Sequence, residues 1–244
     1  MDKQATVVDV KSLSKSYGKL LALNNLNFTI KSGEIFGLLG PNGAGKSTFI
    51  SVLTTLSKPT SGDIFIKGFS VTKQSDKIKR SIGFVPQDIA LYSVLSGLDN
   101  LNFWAGIYGL RGELKRKRIQ EALSVVRLSD RAKDRVETYS GGMKRRLNIA
   151  VALLHQPEIL VMDEPTVGVD IQSRKYIIDG IKELRKIGRT VIFTSHYIDE
   201  MEALCDRLAI IHKGTILNIG TAAELKQAYG KENIEEIMLD FMEQ

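Results

Sequence analysis

Ile35-Phe36-Gly37-Leu38-Leu39-Gly40-Pro41-Asn42-Gly43-Ala44-Gly45-Lys46-Ser47-Thr48 is a short apolar run that empties into a glycine-rich loop. From Gly40 onward it fits the pattern G-x-x-x-x-G-K-[ST], and helix-forming residues follow. Glycines let the backbone curl until successive N–H groups face one anion. The helix that follows presents its positive end to the same anion. Lys46 adds a point charge at β- and γ-phosphates, and the Ser47 hydroxyl is a natural Mg²⁺ ligand. A strand before the loop and a helix after it predict an α/β P-loop core that binds a nucleoside triphosphate.

Upstream, Leu26, Phe28 and Ile30 alternate with polar residues, as in a half-buried strand. Downstream, Asp63-Ile64-Phe65-Ile66-Lys67 reads as another strand, so the first 70 residues are mainly β. From about 96 to 155 the pattern turns helical, with Leu98, Leu101, Ala105 and Tyr108 at helical spacing, then Ala122, Val125 and Val126. Three compact apolar runs follow, at 159–162, 191–193 and 208–211. Runs that do not alternate suit parallel strands buried on both faces. The expected fold is α/β: a P-loop NTPase core of mainly parallel strands, an N-terminal antiparallel β subdomain and an inserted helical subdomain at about 88–155. The expected domain spans 1–220, with a helical tail at 221–244.

Composition narrows the classes. The chain has 244 residues, 43% hydrophobic and 25% charged, which suits one globular unit. The net charge of +6 is a modest basic excess. The densest basic stretch, residues 111–118, is interrupted by Glu113 and lacks interleaved aromatics. It reads as the polar face of a helix, and no nucleic-acid partner is expected. A single cysteine, Cys205, excludes an intramolecular disulfide framework and fits a reducing compartment. The opening MDKQATVVDV has no leader pattern, and no apolar run approaches a membrane span.

Ile159-Leu160-Val161-Met162-Asp163-Glu164-Pro165 is a buried strand that ends in two acids. Acids at the carboxyl end of a parallel strand lie where α/β folds bind ligands. Asp163 is expected to hold Mg²⁺, and Glu164, pointing the other way on an extended chain, to address the attacking water. His196 follows the strand at 190–194 and is placed to reach a γ-phosphate or to orient Glu164. Tyr139-Ser140-Gly141-Gly142-Met143 heads a helix expected to run to about His155, a second anion cradle. Either the two cradles hold different phosphates, or two copies of the chain share each nucleotide.

With these motifs in this order the chain resembles the ABC ATPase family from about Val7 to Gly220. The resemblance implies an ATPase with ATP and Mg²⁺, working as a head-to-tail dimer with a second nucleotide-binding domain. Gly40, Pro41, Asn42, Gly43, Ala44, Gly45, Lys46, Ser47 and Thr48 would bind the nucleotide, and Tyr17 would stack on adenine. Glu164, His196 and Lys46 would be catalytic, and Ser47, Gln87 and Asp163 would attend the metal. Tyr139, Ser140, Gly141, Gly142 and Met143 would close the partner's site, and Asp170 would lie in the interface loop. Met143 replaces the family's usual glutamine, Tyr139 its usual leucine, and Val167 stands where many relatives carry serine. The form YSGGMKRRL resembles the branch that pumps drugs, lipids and polysaccharides outward.

The reading is therefore an exporter's ATPase subunit, cytoplasmic and peripheral on the inner face of the cell membrane, driving a separate transmembrane permease. Leu91, Tyr92 and Phe103 are expected to face that permease, with their neighbours in the core. The alternative is a soluble ABC ATPase of translation or DNA repair. Against it, the chain has one such domain, and only about 90 residues separate Lys46 from Ser140, too few for a long coiled-coil insert. In the tail, Ile234, Ile237, Met238 and Phe241 share a helical face, to pack on their own domain or on a second copy.

Overall fold

A computed structural model describes residues 5–242. Residues 1–4, part of the stretch read for a leader, and 243–244, the end of the expected tail, lie outside the described residues. The chain opens with β1 (Thr6–Tyr17), β2 (Leu20–Lys31) and β3 (Ile35–Leu39), then α1 (Lys46–Leu53). Next come β4 (Ser61–Ile66), β5 (Phe69–Ser70), α2 (Ser75–Lys79) and β6 (Ile82–Val85). Three helices follow: α3 (Gly97–Ile107), α4 (Gly112–Val125) and α5 (Gly141–Leu153). The rest alternates as β7 (Ile159–Asp163), α6 (Ile171–Lys186), β8 (Thr190–Ser195), α7 (Ile198–Leu204) and β9 (Arg207–His212). It ends with β10 (Thr215–Gly220), α8 (Ala222–Tyr229) and α9 (Ile234–Met242).

Two sheets result. The first, ordered β2-β1-β4-β5, is antiparallel throughout. The second is ordered β10-β9-β3-β8-β7-β6, parallel from β9 to β6, with β10 antiparallel at its edge. Between their polar ends, its central strands are apolar for a simple reason. Ile35 and Leu39, Leu160 and Met162, and Val191 and Phe193 face one core, shared with the helices between β6 and β7 and with α6. Phe36 and Leu38, Ile159 and Val161, and Ile192 face the other, shared with α1 and the antiparallel sheet. A period of two with both faces covered confines polar residues to the strand ends, where Thr190, Asp163, Thr194 and Ser195 stand.

The parallel register matters most for function. Val85 pairs with Met162, Asp163 with Thr194 and Leu39 with Ser195, so four strands end at one level. The residues just beyond those ends include the loop at 40–48, Gln87, Glu164 and His196. Position at the carboxyl edge of the sheet thus follows from register alone.

The tail takes one of its two expected options: Ile234, Ile237 and Met238 are buried in the chain's own core. The helix headed by residues 139–143, α5, ends at Leu153, two residues short of expectation, and the backbone N–H of Leu154 bonds to the Val151 carbonyl in a tightened last turn. Among the described residues no helix is long and apolar enough to cross a membrane.

Candidate active site

The phosphate loop leaves β3 and enters α1 through Gly45, whose φ of 109° suits glycine alone. A Cβ there would sit 2.7 Å from the Ala22 carbonyl oxygen. At Gly40 it would sit 2.3 Å from that of Ile211. The loop can therefore pass this close to β2 and β9 only without side chains. No side chain caps α1 and its first turn holds no acid, so its N–H groups face the cleft unanswered. Lys46 is buried, and its Nζ donates to the carbonyls of Gly40 (2.7 Å) and Pro41 (3.1 Å). Burial pushes the ammonium below its ordinary range, while the Glu164 and Asp163 carboxylates oppose that shift.

The two acids diverge, but by a different device from the one expected. The strand stops at Asp163, and Glu164 adopts a left-handed φ of 48° in place of an extended conformation. That turn re-aims the carboxylate where alternation along a strand would not. Thr194, on the neighbouring β8, pins both residues: its Oγ1 donates to Asp163 Oδ1 (2.6 Å) and accepts from the Glu164 N–H (2.9 Å). Gln87 Nε2 donates to Glu164 Oε2 (3.3 Å), and His196 Nδ1 lies 3.5 Å from Oε1. Gln87, Glu164 and His196 are thus brought together.

They line a cleft of about 820 Å³ with Lys46, Ser47 and Thr48, within the size range of ligand sites. Tyr17, half-exposed, stands at its mouth with Lys15 Nζ 4.8 Å from its ring centroid. Val167 also lines the cleft, as do Leu20, Leu21 and Lys213, which the sequence did not single out. Residues 139–143 do not line it. Ser140 instead caps α5, its Oγ accepting from the Met143 N–H (3.2 Å), and Ser140 and Gly141 are exposed. Tyr139 turns inward: its ring is buried and its hydroxyl donates to the Arg131 carbonyl (2.5 Å). Met143 packs partly against the core, so only the middle of the motif is presented at the surface. Asp170 caps α6, accepting from the Ser173 N–H (2.8 Å), which holds its carboxyl below the usual range.

Thr194 was legible only as a polar residue closing an apolar strand. Glu200 carried no signal in the sequence, yet it is a buried carboxylate on α7 that accepts from Thr166 Oγ1 (2.8 Å).

The donor set fits Mg²⁺. The Ser47 hydroxyl is exposed, Asp163 commits Oδ1 to Thr194, and Gln87 commits its nitrogen to Glu164. What is left is hydroxyl, carboxylate and amide oxygen, the hard ligands that a partly hydrated Mg²⁺ accepts.

Comparison with known proteins bears on the family and the fold. The family profile described as ABC transporter matches residues 23–167. The linearmycin resistance ATP-binding protein of Bacillus subtilis (strain 168) is 48% identical, over 95% of this chain and 74% of that protein. The doxorubicin resistance ATP-binding protein of Mycobacterium tuberculosis is 40% identical, over 98% and 72%. Among solved structures, an ATP-binding subunit of an ABC transporter superposes with a TM-score of 0.87 at 28% identity, covering 97% of this chain and all of that one. A dimeric ATP-binding cassette bound to ADP and phosphate in a post-hydrolysis state gives 0.79 at 31%, covering 88% and 98%. The resemblance read from the motifs is borne out, as is the fold: the chain belongs to the ABC transporter family, as an ATP-binding, ATP-hydrolysing subunit.

Proposed function

We propose that this chain powers an exporter of drug-like compounds, two copies closing on ATP beneath a separate membrane permease and reopening after hydrolysis. One observation carries the reading: Gln87, Glu164 and His196 meet over the phosphate loop, while residues 140–142 lie outside that cleft. A site with its hydrolytic groups assembled but its second phosphate cradle elsewhere is completed naturally by a second copy in head-to-tail symmetry. The relatives named for linearmycin and doxorubicin resistance support efflux as the task.

In this reading residues 40–48 grip the phosphates, Tyr17 stacks on adenine, and Lys46 balances charge at the β- and γ-phosphates. Glu164 takes the proton of a water whose oxygen bonds to the γ-phosphorus, as the bond to the bridging oxygen breaks and ADP leaves. His196 orients Glu164. Ser47, Asp163 and Gln87 would hold Mg²⁺, which when bound neutralises phosphate charge. Ser140 and Gly141 would reach the partner's ATP, with Asp170 and its loop between the two copies.

The permease is assigned to a groove of about 670 Å³ lined by Leu56, Phe84, Pro86, Ala90, Trp104 and Tyr108. Tyr92 and Phe103, stacked edge-to-face at 5.0 Å, are exposed as expected; Leu91 instead packs against the core. Docking there keeps the chain on the inner face of the membrane. The test is to co-express Tyr92→Asp/Phe103→Asp with the permease. Normal ATP turnover of the isolated chain with lost co-purification and lost drug efflux is expected. Unimpaired efflux from that variant, or from Glu164→Gln, sinks the reading.

A further inference from the structure

We infer that the tip of the α3–α4 hairpin, with the end of α2 beside it, docks on the anionic phospholipid headgroups of the membrane surface. The inference rests on the assignment of the permease groove, because Lys79 and Tyr108 line both that groove and this face. A cleft of about 640 Å³ runs between Lys79, Arg80, Ile107, Tyr108, Leu114 and Arg118. Residues 76–80 and 111–121 hold eight basic and three acidic side chains, a net of +5 in a chain of net +6. Lys79 pairs with Asp76 and Arg118 with Glu121, whereas Arg80, Arg111, Lys115, Arg116 and Lys117 pair with no described acid.

Apolar side chains stand among these cations: Ile107 is 64% exposed and Leu114 48%. An acidic peptide or nucleic acid would answer the charges and leave both in water. The boundary between headgroups and acyl chains answers both kinds of group at once.

The test is flotation of the purified chain with vesicles of phosphatidylcholine alone or mixed with phosphatidylglycerol. Binding to the mixed vesicles only is expected, weakened at least about tenfold by high salt. Arg80→Glu/Arg116→Glu/Lys117→Glu should lose at least about tenfold in binding with ATP turnover unchanged. No binding to anionic vesicles, salt-insensitive binding, or full binding by the charge-reversed chain overturns the inference. So does competition by inorganic phosphate as effective as by vesicles. The salt series on the unaltered chain decides the matter even if the variant misfolds. Permease docking retained by Tyr92→Asp/Phe103→Asp, with vesicle binding of the unaltered chain intact, would sink the groove assignment alone.

A second inference stands on separate observations: Glu200 is a positioning residue that ties the loop of His196 to the interface loop. Its Oε2 accepts from Thr166, two residues after Glu164, and from Ser195 Oγ (3.4 Å), one residue before His196. Its Oε1 pairs with Arg174 of α6, whose guanidinium lies 4.4 Å over the Tyr197 ring; that ring is 4.6 Å from His196. A carboxylate 5% exposed is retained only with such partners, and here they come from three segments of the site.

Glu200→Gln should lower kcat at least about tenfold with KM nearly unchanged. The decisive readout is a double-mutant cycle with His196→Ala. If Glu200 acts through His196, the second substitution costs little more; additive losses overturn the inference. Thr166→Val repeats the cycle with the Glu200 carboxylate and its Arg174 partner kept in place, should Glu200→Gln unfold. Normal turnover in His196→Ala would instead sink the role proposed for His196.

Discussion

Lys46 and Glu164 separate binding from chemistry. Lys46→Ala removes a buried cation whose Nζ faces the loop carbonyls and whose neighbours are two carboxylates. Charged hydrogen bonds contribute about 1.5–3 kcal/mol each, so ATP affinity should fall by roughly a hundredfold in a calorimetric titration. Unchanged affinity would remove the phosphate-loop assignment. Glu164→Gln keeps the shape and left-handed backbone of the site and removes only the base. Turnover should drop about 10²–10⁴-fold with ATP binding intact, and wild-type turnover would exclude Glu164 as base. Both residues were legible beforehand, because a glycine-rich loop and an acid pair after an apolar run are local patterns. The turn at Glu164 was not, since alternation along a strand is the local default and Thr194 on another strand overrides it.

Helix α5 offers a test with its own control. At Gly142 an added Cβ would lie 2.3 Å from Ser173 Cβ and Oγ and 2.7 Å from Asp170 Oδ2. Gly142→Ala should push the start of α5 off α6 at a cost of about 1–3 kcal/mol, read as a lower urea midpoint. At Gly141 the nearest atom is the Gly168 oxygen at 3.9 Å, so Gly141→Ala should leave that midpoint in place. Equal effects of the two would refute this packing account. The spacing of Ser140-Gly141-Gly142 predicted a helix start. It could not tell which glycine faces α6 and which faces outward, since that depends on how two helices meet.

For the whole molecule the proposed dimer is the property to measure. The chain has a mass of 27.1 kDa, so light scattering on Glu164→Gln should move from that value to twice it when Mg-free ATP is added. A monomer that binds ATP without shifting would point to a different partner chain. The closed form should also protect residues 140–142 from hydrogen exchange, a second reading of the same contact.

The sequence by itself determined the elements and the chemistry: a strand, a glycine loop and a helix around Lys46, acids after Met162, and apolar runs long enough only for buried strands. Those follow from side-chain periodicity and backbone freedom over a few residues. Only the tertiary structure decided which groups touch. Gln87 and Glu164 are 77 positions apart, and Thr166 and Glu200 are 34 apart. Such pairs meet because β6, β7 and β8 lie side by side in register, and that order is set by how both faces of one sheet are buried.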